Sequence, residues 1–270
     1  DAGVTLSSYD PESKTTIVTY ENSNIDIVQN GKVYNISDIR IRSIEGSKEI
    51  NSIYFNNAKA YLSCGFGIVV LDLVRKEIFD TYYVGENSSK IKVNAVTIND
   101  TSIFAATVNG LLYAPKSSNA LAASQTWQKV QNIANRGISN IEILNILSLG
   151  NGKLLVNLPI ANSTLSDTYT FDGEEWTSVF ENEYIKSMRL SEGRLIKISY
   201  RSLNIYDVNN LTNGGEIHHI SDEWNPVPGI HLDINDAITD GNDLWLAHET
   251  KGLIRIQNYR YGTSQKSEDF

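Results

Sequence analysis

The fold of this chain is decided by the stretch INSIYFNNAKAYLSCGFGIVV, residues 50–70, and by two copies of its pattern. The copies read VNAVTINDTSIFAATVNGLLY at residues 93–113 and INDAITDGNDLWLAHETKGLIR at residues 234–255. Each copy opens with alternating apolar and polar residues, which is the period of a strand with one buried face. A polar turn and a second strand follow, so each copy predicts an antiparallel hairpin.

The hairpins share one spacing. The step from the end of the first strand to a reference residue of the second is six positions in five modules. The pairs are Phe55–Tyr61, Ile98–Phe104, Leu149–Leu155, Leu190–Ile196 and Thr239–Trp245. The step from Tyr9 to Val18 is longer and indicates an insertion around Pro11. Third strands follow at Gly67-Ile68, Gly110-Leu111 and Gly252-Leu253. The glycine predicts a hairpin return at positive φ, with Asn24 in its place in the first copy.

A fourth strand completes most modules. Fourth strands are predicted at Val33–Ile36, Ile78–Val84, Trp127–Val130, Trp176–Phe180 and Ile217–Ile220. The sixth module has no clear fourth strand after Leu253–Ile256, and Ser118–Val130 is expected to hold a short helix in a loop. Modules start near residues 4, 50, 93, 143, 185 and 234, an interval of about 46 residues. Four strands in that length are typical of a propeller blade.

We therefore predict an all-β protein, a β-propeller of four-stranded blades that forms a single domain over residues 1–270. Six modules are visible, so we expect six blades, or seven if a further module precedes them. The beginning, Asp1-Ala2-Gly3-Val4, is neither a Met start nor a signal peptide. We expect the chain to be a processed piece of a larger protein.

Composition excludes several functions. The formal net charge is −9, with 23 Lys and Arg against 32 Asp and Glu. A nucleic-acid binder needs a basic surface, and the basic stretches Arg40–Arg42 and Arg255–Arg260 stand in strand-like sequence, so we expect no nucleic-acid partner. No run approaches the roughly 20 apolar residues of a membrane helix, and we expect a chain that does not itself span a membrane.

We expect neither metal nor cofactor. The four histidines are His218, His219, His231 and His248. Neighbouring residues of a strand point to opposite faces, so His218 and His219 are poorly placed to share an ion. The acidic stretches Asp233–Asp236 and Asp240–Asp243 lack the calcium-loop spacing and suit hairpin turns instead. Cys64 is the one cysteine and is expected to be a small half-buried residue rather than a reactive thiol.

The chain carries no recognisable catalytic motif, so we expect no catalytic residue and no enzyme. A hydrolase built from carboxylates distant in sequence stays open as a minor alternative, because such residues leave no local pattern. The aromatics Tyr61, Phe104 and Trp245 share one repeat position. A large residue repeated at one position fills the same gap between blades, which favours packing over a ligand cage.

Two resemblances support the propeller. Residues 236–256, DAITDGNDLWLAHETKGLIRI, resemble the repeat of two-component-regulator propellers. Residues 16–27 (TTIVTYENSNID), 50–85 and 93–114 resemble the N-terminal propeller of PorZ-type proteins of Bacteroidetes, over about residues 10–130. In that family the first propeller is expected to have seven blades, followed by a second propeller and a β-sandwich. Since this chain lacks those further parts, the resemblance also implies a fragment.

The PorZ-type resemblance implies an exported protein of the periplasm or outer-membrane surface. Its implied role is a non-enzymatic scaffold in type IX secretion and cell-surface attachment of cargo, with envelope or secretion-system proteins and surface polysaccharide as partners. The alternative is a periplasmic sensor propeller of a hybrid two-component system that recognises an oligosaccharide. Loops carry function on a rigid scaffold. We therefore expect binding at the tips between second and third strands, at Asn22, Phe66, Asn109, Arg201 and Lys251.

Overall fold

The computed structural model describes residues 2–150, 152–199, 202–211, 216–218, 234–259 and 267–269. It contains six antiparallel sheets of four strands each, and in every sheet the strands lie side by side in chain order. These sheets are the blades of a six-bladed β-propeller, so the predicted fold class is confirmed.

The blades take their strands from the chain in sequence. Blade 1 contains β1 (Val4–Asp10), β2 (Thr15–Tyr20), β3 (Ile25–Gln29) and β4 (Lys32–Ile36), and blade 2 contains β5 (Ile50–Asn56), β6 (Lys59–Cys64), β7 (Gly67–Asp72) and β8 (Glu77–Tyr82). Blade 3 contains β9 (Val93–Ile98), β10 (Ser102–Thr107), β11 (Gly110–Pro115) and β12 (Gln128–Lys129), and blade 4 contains β13 (Asn145–Gly150), β14 (Lys153–Pro159), β15 (Ser166–Phe171) and β16 (Trp176–Glu183). Blade 5 contains β17 (Ile185–Ser191), β18 (Arg194–Ser199), β19 (Leu203–Asp207) and β20 (Glu216–His218), and blade 6 contains β21 (Ile234–Asp240), β22 (Asp243–His248), β23 (Gly252–Ile256) and β24 (Ser267–Asp269).

Helical structure in the described residues is confined to single turns. The α-helix α1 spans Asp38–Ile41, and 3-10 turns span Glu86–Ser88, Ser124–Thr126 and Ile133–Asn135. The turn at Ser124–Thr126 lies within the segment where the sequence predicts a short helix. None of the described helices is long and apolar enough to cross a membrane.

The chain divides into two compact units. Unit 1 contains Asp1–Pro159 and Tyr169–Thr177, and unit 2 contains Ile160–Thr168 and Ser178–Phe270. Blades 1 to 3 lie wholly in unit 1 and blades 5 and 6 in unit 2, so the division passes through blade 4.

The first strands begin within two residues of the predicted module starts. The expectation that the sixth module lacks a fourth strand is wrong, because β24 pairs with β23. The sequence concealed it because Ser267, Glu268 and Asp269 are all polar and show no apolar alternation. The predicted insertion in blade 1 is present as a four-residue turn between Asp10 and Thr15.

Apolar layers between successive blades form the cores of the two units. In unit 1 one layer joins blades 1 and 2 through residues such as Ile17 and Leu62. A second layer joins blades 2 and 3 and contains Tyr61, and a third joins blades 3 and 4 and contains Phe104. The prediction that these two aromatics serve packing is therefore confirmed. In unit 2 blades 5 and 6 share a layer, while Trp245 is half-buried with the Arg255 guanidinium 5.4 Å from its ring.

In unit 1, asparagines in the first strands of blades 2 and 3 bond to backbone at or just before the first strand of the next blade. The Asn51 side chain donates to the carbonyl of Val93 at 2.8 Å, and the Asn94 side chain donates to the carbonyl of Ile143 at 2.8 Å. Both asparagines are the second residue of their strands, as is Asn235 of blade 6, whose side chain is exposed. In blades 2 and 3 the Ile/Val-Asn pair thus encodes a hydrogen bond between blades as well as a strand.

We predict that Asn51→Ala and Asn94→Ala each lower the free energy of unfolding by about 1 kcal/mol, because each leaves a carbonyl between two blades without its donor. Urea unfolding followed by fluorescence would measure the change. The matched control is Asn235→Ala, which should stay within about 0.5 kcal/mol of wild type because that side chain is exposed. Equal losses in all three variants would contradict the assignment.

Cys64 lies fully buried in the layer between blades 1 and 2, and is thus more buried than the sequence indicates. Burial raises the pKa of its thiol from about 9 to about 12. The folded protein thus favours the protonated thiol more than the unfolded chain does. This contribution is complete below about pH 9 and is lost as the pH rises toward 12.

We predict that wild type loses more stability between pH 9 and 11 than Cys64→Ala does. The variant itself should cost about 1 kcal/mol at neutral pH through the small cavity that it leaves. Denaturant unfolding at a series of pH values tests this, since tyrosine titration is common to both proteins. Parallel pH profiles for the two proteins would show that the thiol contributes nothing.

Candidate functional site

The candidate site is one end of unit 1, which we call the loop end. In an antiparallel blade, the turn between the second and third strands lies at the same end as the connection that leaves the fourth strand. The loop end comprises the hairpin tips 21–24, 65–66 and 108–109 and the connections 37–49, 83–92 and 130–144.

Hydrogen bonds tie each tip to a connection. The Ser23 hydroxyl donates to the carbonyl of Lys48 at 2.9 Å, and the Gly65 amide donates to the carbonyl of Glu49 at 2.9 Å. In blade 3 the Val108 amide donates to the carbonyl of Lys92 at 3.3 Å. Because tips and connections share these bonds, the loop end is a fixed platform rather than a set of separate loops.

Three of the sequence-predicted site residues occupy the predicted tips. Asn22 and Asn109 are exposed. The Asn22 side-chain oxygen accepts a hydrogen bond from the backbone amide of Asn24 at 3.0 Å. The Asn109 backbone amide donates to the Thr107 hydroxyl at 3.1 Å. Phe66 stands at its tip, but its side chain is only 1% exposed and its ring centroid lies 6.4 Å from that of Tyr83. We therefore withdraw Phe66 as a surface contact, because it anchors the tip to the core.

The other two predicted residues are Arg201 and Lys251. Arg201 lies outside the described residues. Lys251 is exposed at the β22–β23 turn of unit 2, where its amide donates to His248 Nδ1 at 3.3 Å. The Thr250 amide donates to the same nitrogen at 3.2 Å, so His248 organises this turn.

Sequence reasoning missed the connection 37–49. Arg40 and Arg42 were interpreted as strand-like, but α1 carries Arg40, and Arg42 follows it. Ile36 and Ile39 are spaced to bury one side of this turn, and both pack in the layer between blades 1 and 2. Ile41 then projects with 69% exposure between two exposed arginines. The spacing of three between Ile36 and Ile39 was the available signal.

Polar contacts hold this connection in place. The Lys48 ammonium donates to the carbonyl of Arg40 at 3.0 Å, which satisfies an end of the one-turn helix. The Lys90 ammonium lies 3.9 Å from a carboxylate oxygen of Glu45, so neighbouring connections also approach one another. The surface carries both signs of charge around an exposed apolar residue, as the rim of a protein-binding surface does.

The connection 130–144 contains the most strained backbone of the loop end. Asn132, Ala134 and Asn135 have φ of 49°, 53° and 58°. Ile133 and Ala134 are nevertheless buried in the layer between blades 3 and 4. The Arg136 guanidinium donates to the Tyr169 hydroxyl at 3.0 Å. Strain of this kind persists only where packing determines the backbone.

Two glycines that directly follow hairpin tips allow close backbone approaches at the loop end. Gly67 and Gly110 open the third strands of blades 2 and 3 with φ of 144° and 120°, and Gly252 has φ of 79°, so the predicted positive φ is confirmed. A Cβ on Gly67 would overlap the carbonyl oxygen of Tyr82, and one on Gly110 would overlap that of Ser139. In blade 1 the left-handed residue is Ser23, with φ of 63°, and not Asn24 as expected.

Known proteins resemble this chain in sequence and in fold. Residues 1–128 match the family of the PorZ N-terminal β-propeller domain, TSS9. The match covers almost the same residues as the resemblance in the sequence, and it includes the whole of blades 1 and 2 and the first three strands of blade 3. No curated protein matches the chain.

Solved structures share the fold over the whole chain. PorZ of Porphyromonas gingivalis, described as an essential bacterial surface component of the type-IX secretion system, aligns with TM-score 0.70 and 17% identity over 100% of this chain and 32% of its own. The extracellular domain of BT3049 from B. thetaiotaomicron, named for a hybrid two component system, aligns with TM-score 0.65 and 11% identity over 100% and 35%. That of BT4673 from the same organism aligns with TM-score 0.67 and 14% identity over 99% and 36%. The chain thus spans about a third of each of these proteins.

Among the described residues, no group of three or more His, Cys, Asp or Glu side chains is arranged to hold a metal ion. What the loop end offers is a rigid surface of backbone, amide and charged groups, which suits recognition of another molecule.

We predict that Gly67→Ala and Gly110→Ala each destabilise the protein by more than about 2 kcal/mol, because a Cβ meets both an unfavourable φ and a carbonyl oxygen. Gly31→Ala and Gly173→Ala are matched controls with positive φ and open space, and each should cost about 1 kcal/mol. Thermal unfolding of the four variants separates the cost of overlap with a carbonyl oxygen from the cost of an unfavourable φ. Indistinguishable losses would mean that the close approach has no energetic weight.

Proposed function

We propose that this chain is a non-enzymatic binding scaffold of an exported envelope protein, which acts in type IX secretion and in attachment of cargo to the cell surface. The observation that carries the proposal is the match of residues 1–128 to the PorZ N-terminal propeller family. The alignment with PorZ of P. gingivalis over the whole chain supports it through the fold. Its location would be the periplasm or the outer-membrane surface.

The proposed contact surface is the loop end of unit 1. Asn22 and Asn109 offer polar groups at two tips, and the connection 37–49 presents Ile41 between Arg40 and Arg42. Fixed loops lose little conformational entropy on binding, which favours a platform over mobile segments. The partners would be envelope or secretion-system proteins, with surface polysaccharide as a further ligand.

The test is affinity capture on the immobilised chain from an outer-membrane extract of a Bacteroidetes strain that has a type IX system, read by mass spectrometry. We predict enrichment of secretion-system components and about tenfold weaker capture by the double variant Arg40→Glu, Arg42→Glu, because reversed charge opposes complementary partners. The matched control is Arg75→Glu at the β7–β8 turn, which is exposed at the opposite end of blade 2. It should bind like wild type.

Two results would count against the proposal. Recovery of no secretion-system component would remove the role itself. Equal weakening by the loop-end variant and by Arg75→Glu would instead remove the loop end as the contact surface. Circular dichroism of all three proteins establishes that the substitutions leave the fold intact.

A second candidate is a ligand-sensing propeller that recognises an oligosaccharide. The specific observation in its favour is the shared fold with the extracellular domains of BT3049 and BT4673 over nearly the whole chain. A saccharide array followed by thermal shift separates the candidates. A saccharide that raises the Tm by about 2 °C, with no protein captured, would favour the sensor.

A further inference from the structure

A buried lysine interrupts the repeat in blade 5. The second strands of blades 2, 3, 4 and 6 place an apolar residue directly after the reference position, and these are Leu62, Ala105, Val156 and Leu246. Each is fully buried. Blade 5 has Lys197 at this position, and its side chain is 3% exposed. Blade 1 has the buried but uncharged Thr19 at this position, so blade 5 is the one described blade with a charge there. A charge at a buried position requires a compensating environment.

The neighbouring strand carries a second interruption. Lys197 pairs with Asn204, whereas Leu62 pairs with Val69 and Leu246 pairs with Ile254. Asn204 is buried, and its side-chain oxygen accepts the Ser202 hydroxyl at 2.8 Å. The pair Lys197–Asn204 thus places two polar side chains in a buried face that also contains Leu195 and Tyr206.

The lysine ammonium is surrounded by a carboxylate and two aromatic rings. Lys197 Nζ forms an ion pair with Glu183 Oε2. It lies 4.0 Å from the ring centroid of Phe180 and 5.5 Å from that of Tyr206. The two rings lie 5.1 Å apart at 47°, so they form two walls of one enclosure. Aromatic faces and a carboxylate are the groups that recognise an alkylammonium ion.

Hydrogen bonds fix the backbone that carries the Glu183 carboxylate. Its strand, β16, is held where it ends, because the Asn182 amide donates to a side-chain oxygen of Asp167 at 3.0 Å and the Ser166 hydroxyl donates to the Glu183 carbonyl at 3.3 Å. Burial, and then the Glu183 charge, raise the pKa of Tyr206 to about 12, so its hydroxyl keeps its proton beside the ion pair. All these residues lie in unit 2.

We propose that Phe180, Glu183 and Tyr206 form an ammonium-binding cage whose resident ligand is the chain's own Lys197. The lysine is an internal ligand that fastens β16 to blade 5. Removal of its side chain then leaves a site for a small primary alkylammonium ion. The competing explanation is that the methylene stem of Lys197 merely fills space, as long charged side chains commonly do.

Rescue of Lys197→Ala by a free amine distinguishes the two explanations. We expect millimolar n-butylammonium to raise the Tm of the full-length variant by about 2 °C or more, and neutral n-butanol of similar volume to raise it much less. Neither compound should act this way on wild type or on Lys186→Ala, which removes an exposed lysine of β17 in the same blade. Equal effects of amine and alcohol on Lys197→Ala would overturn the proposal.

A second measurement does not depend on that variant. Reductive methylation of wild type, read by mass spectrometry, should modify Lys197 at least roughly tenfold more slowly than Lys186. Glu183→Gln should speed the modification of Lys197 roughly tenfold, because it removes a charge-assisted bond. The control is Glu181→Gln, an exposed carboxylate on the same strand. Equal rates in the two glutamine variants would show that Glu183 does not hold the ammonium and would overturn the proposal.

Discussion

A blade of four strands has two faces and buries neither alone, and the structure of both units follows from this constraint. Each described apolar layer draws residues from two successive blades. Examples are Ile17 with Leu62, Tyr61 with Ile103, and Ile205 with Leu246. Stability in such a repeat is carried by nearest-neighbour interfaces. The second strand supplies both layers at once, because alternate residues point to opposite neighbours. This is why its spacing is kept even where residue identity changes.

The loop end inherits its rigidity from those layers. Phe66 is buried in the first layer while its backbone forms a tip, and Ile133 is buried in another while its backbone forms a connection. Gly67 then lets the start of β7 lie against the carbonyl of Tyr82 at the end of β8, and Gly110 lets the start of β11 lie against Ser139 of the connection 130–144. The surface is thus built from backbone whose position the core determines, and the exposed side chains on it are free to vary. A shared fold with different ligands is the expected result of such an arrangement.

Features that depend on the period of the repeat were predictable from the sequence. Features that depend on which way a loop side chain points were not. Strand order, module starts and the positive φ of Gly67, Gly110 and Gly252 all follow from spacing alone. Phe66 was misassigned because a tip residue lies outside the alternation that tells inward from outward. The connection 37–49 was misread because Arg40–Arg42 alternates like a strand over too short a length to distinguish it from one helical turn. β24 escaped because its residues carry no apolar pattern. Of the candidate site, the tips were predictable, but the connections that hold them were not.

Similar interfaces between blades make mispairing during folding possible, and blade 5 differs from the other blades in a way that opposes it. Apolar interfaces of similar size and register discriminate poorly between neighbours, so a blade could pair with the wrong partner during folding. Lys197 and Asn204 make one face of blade 5 unlike the corresponding faces of blades 2, 3 and 6. Against an apolar neighbour, the lysine would be buried without Glu183 and the ring of Phe180, which both belong to β16 of blade 4, at a cost of several kcal/mol. Lys197 and Asn204 therefore contribute little net stability when blade 5 has its correct neighbour, but they impose a large free-energy penalty when it has a wrong one. A single charged residue in an apolar repeat is most economically explained by that difference.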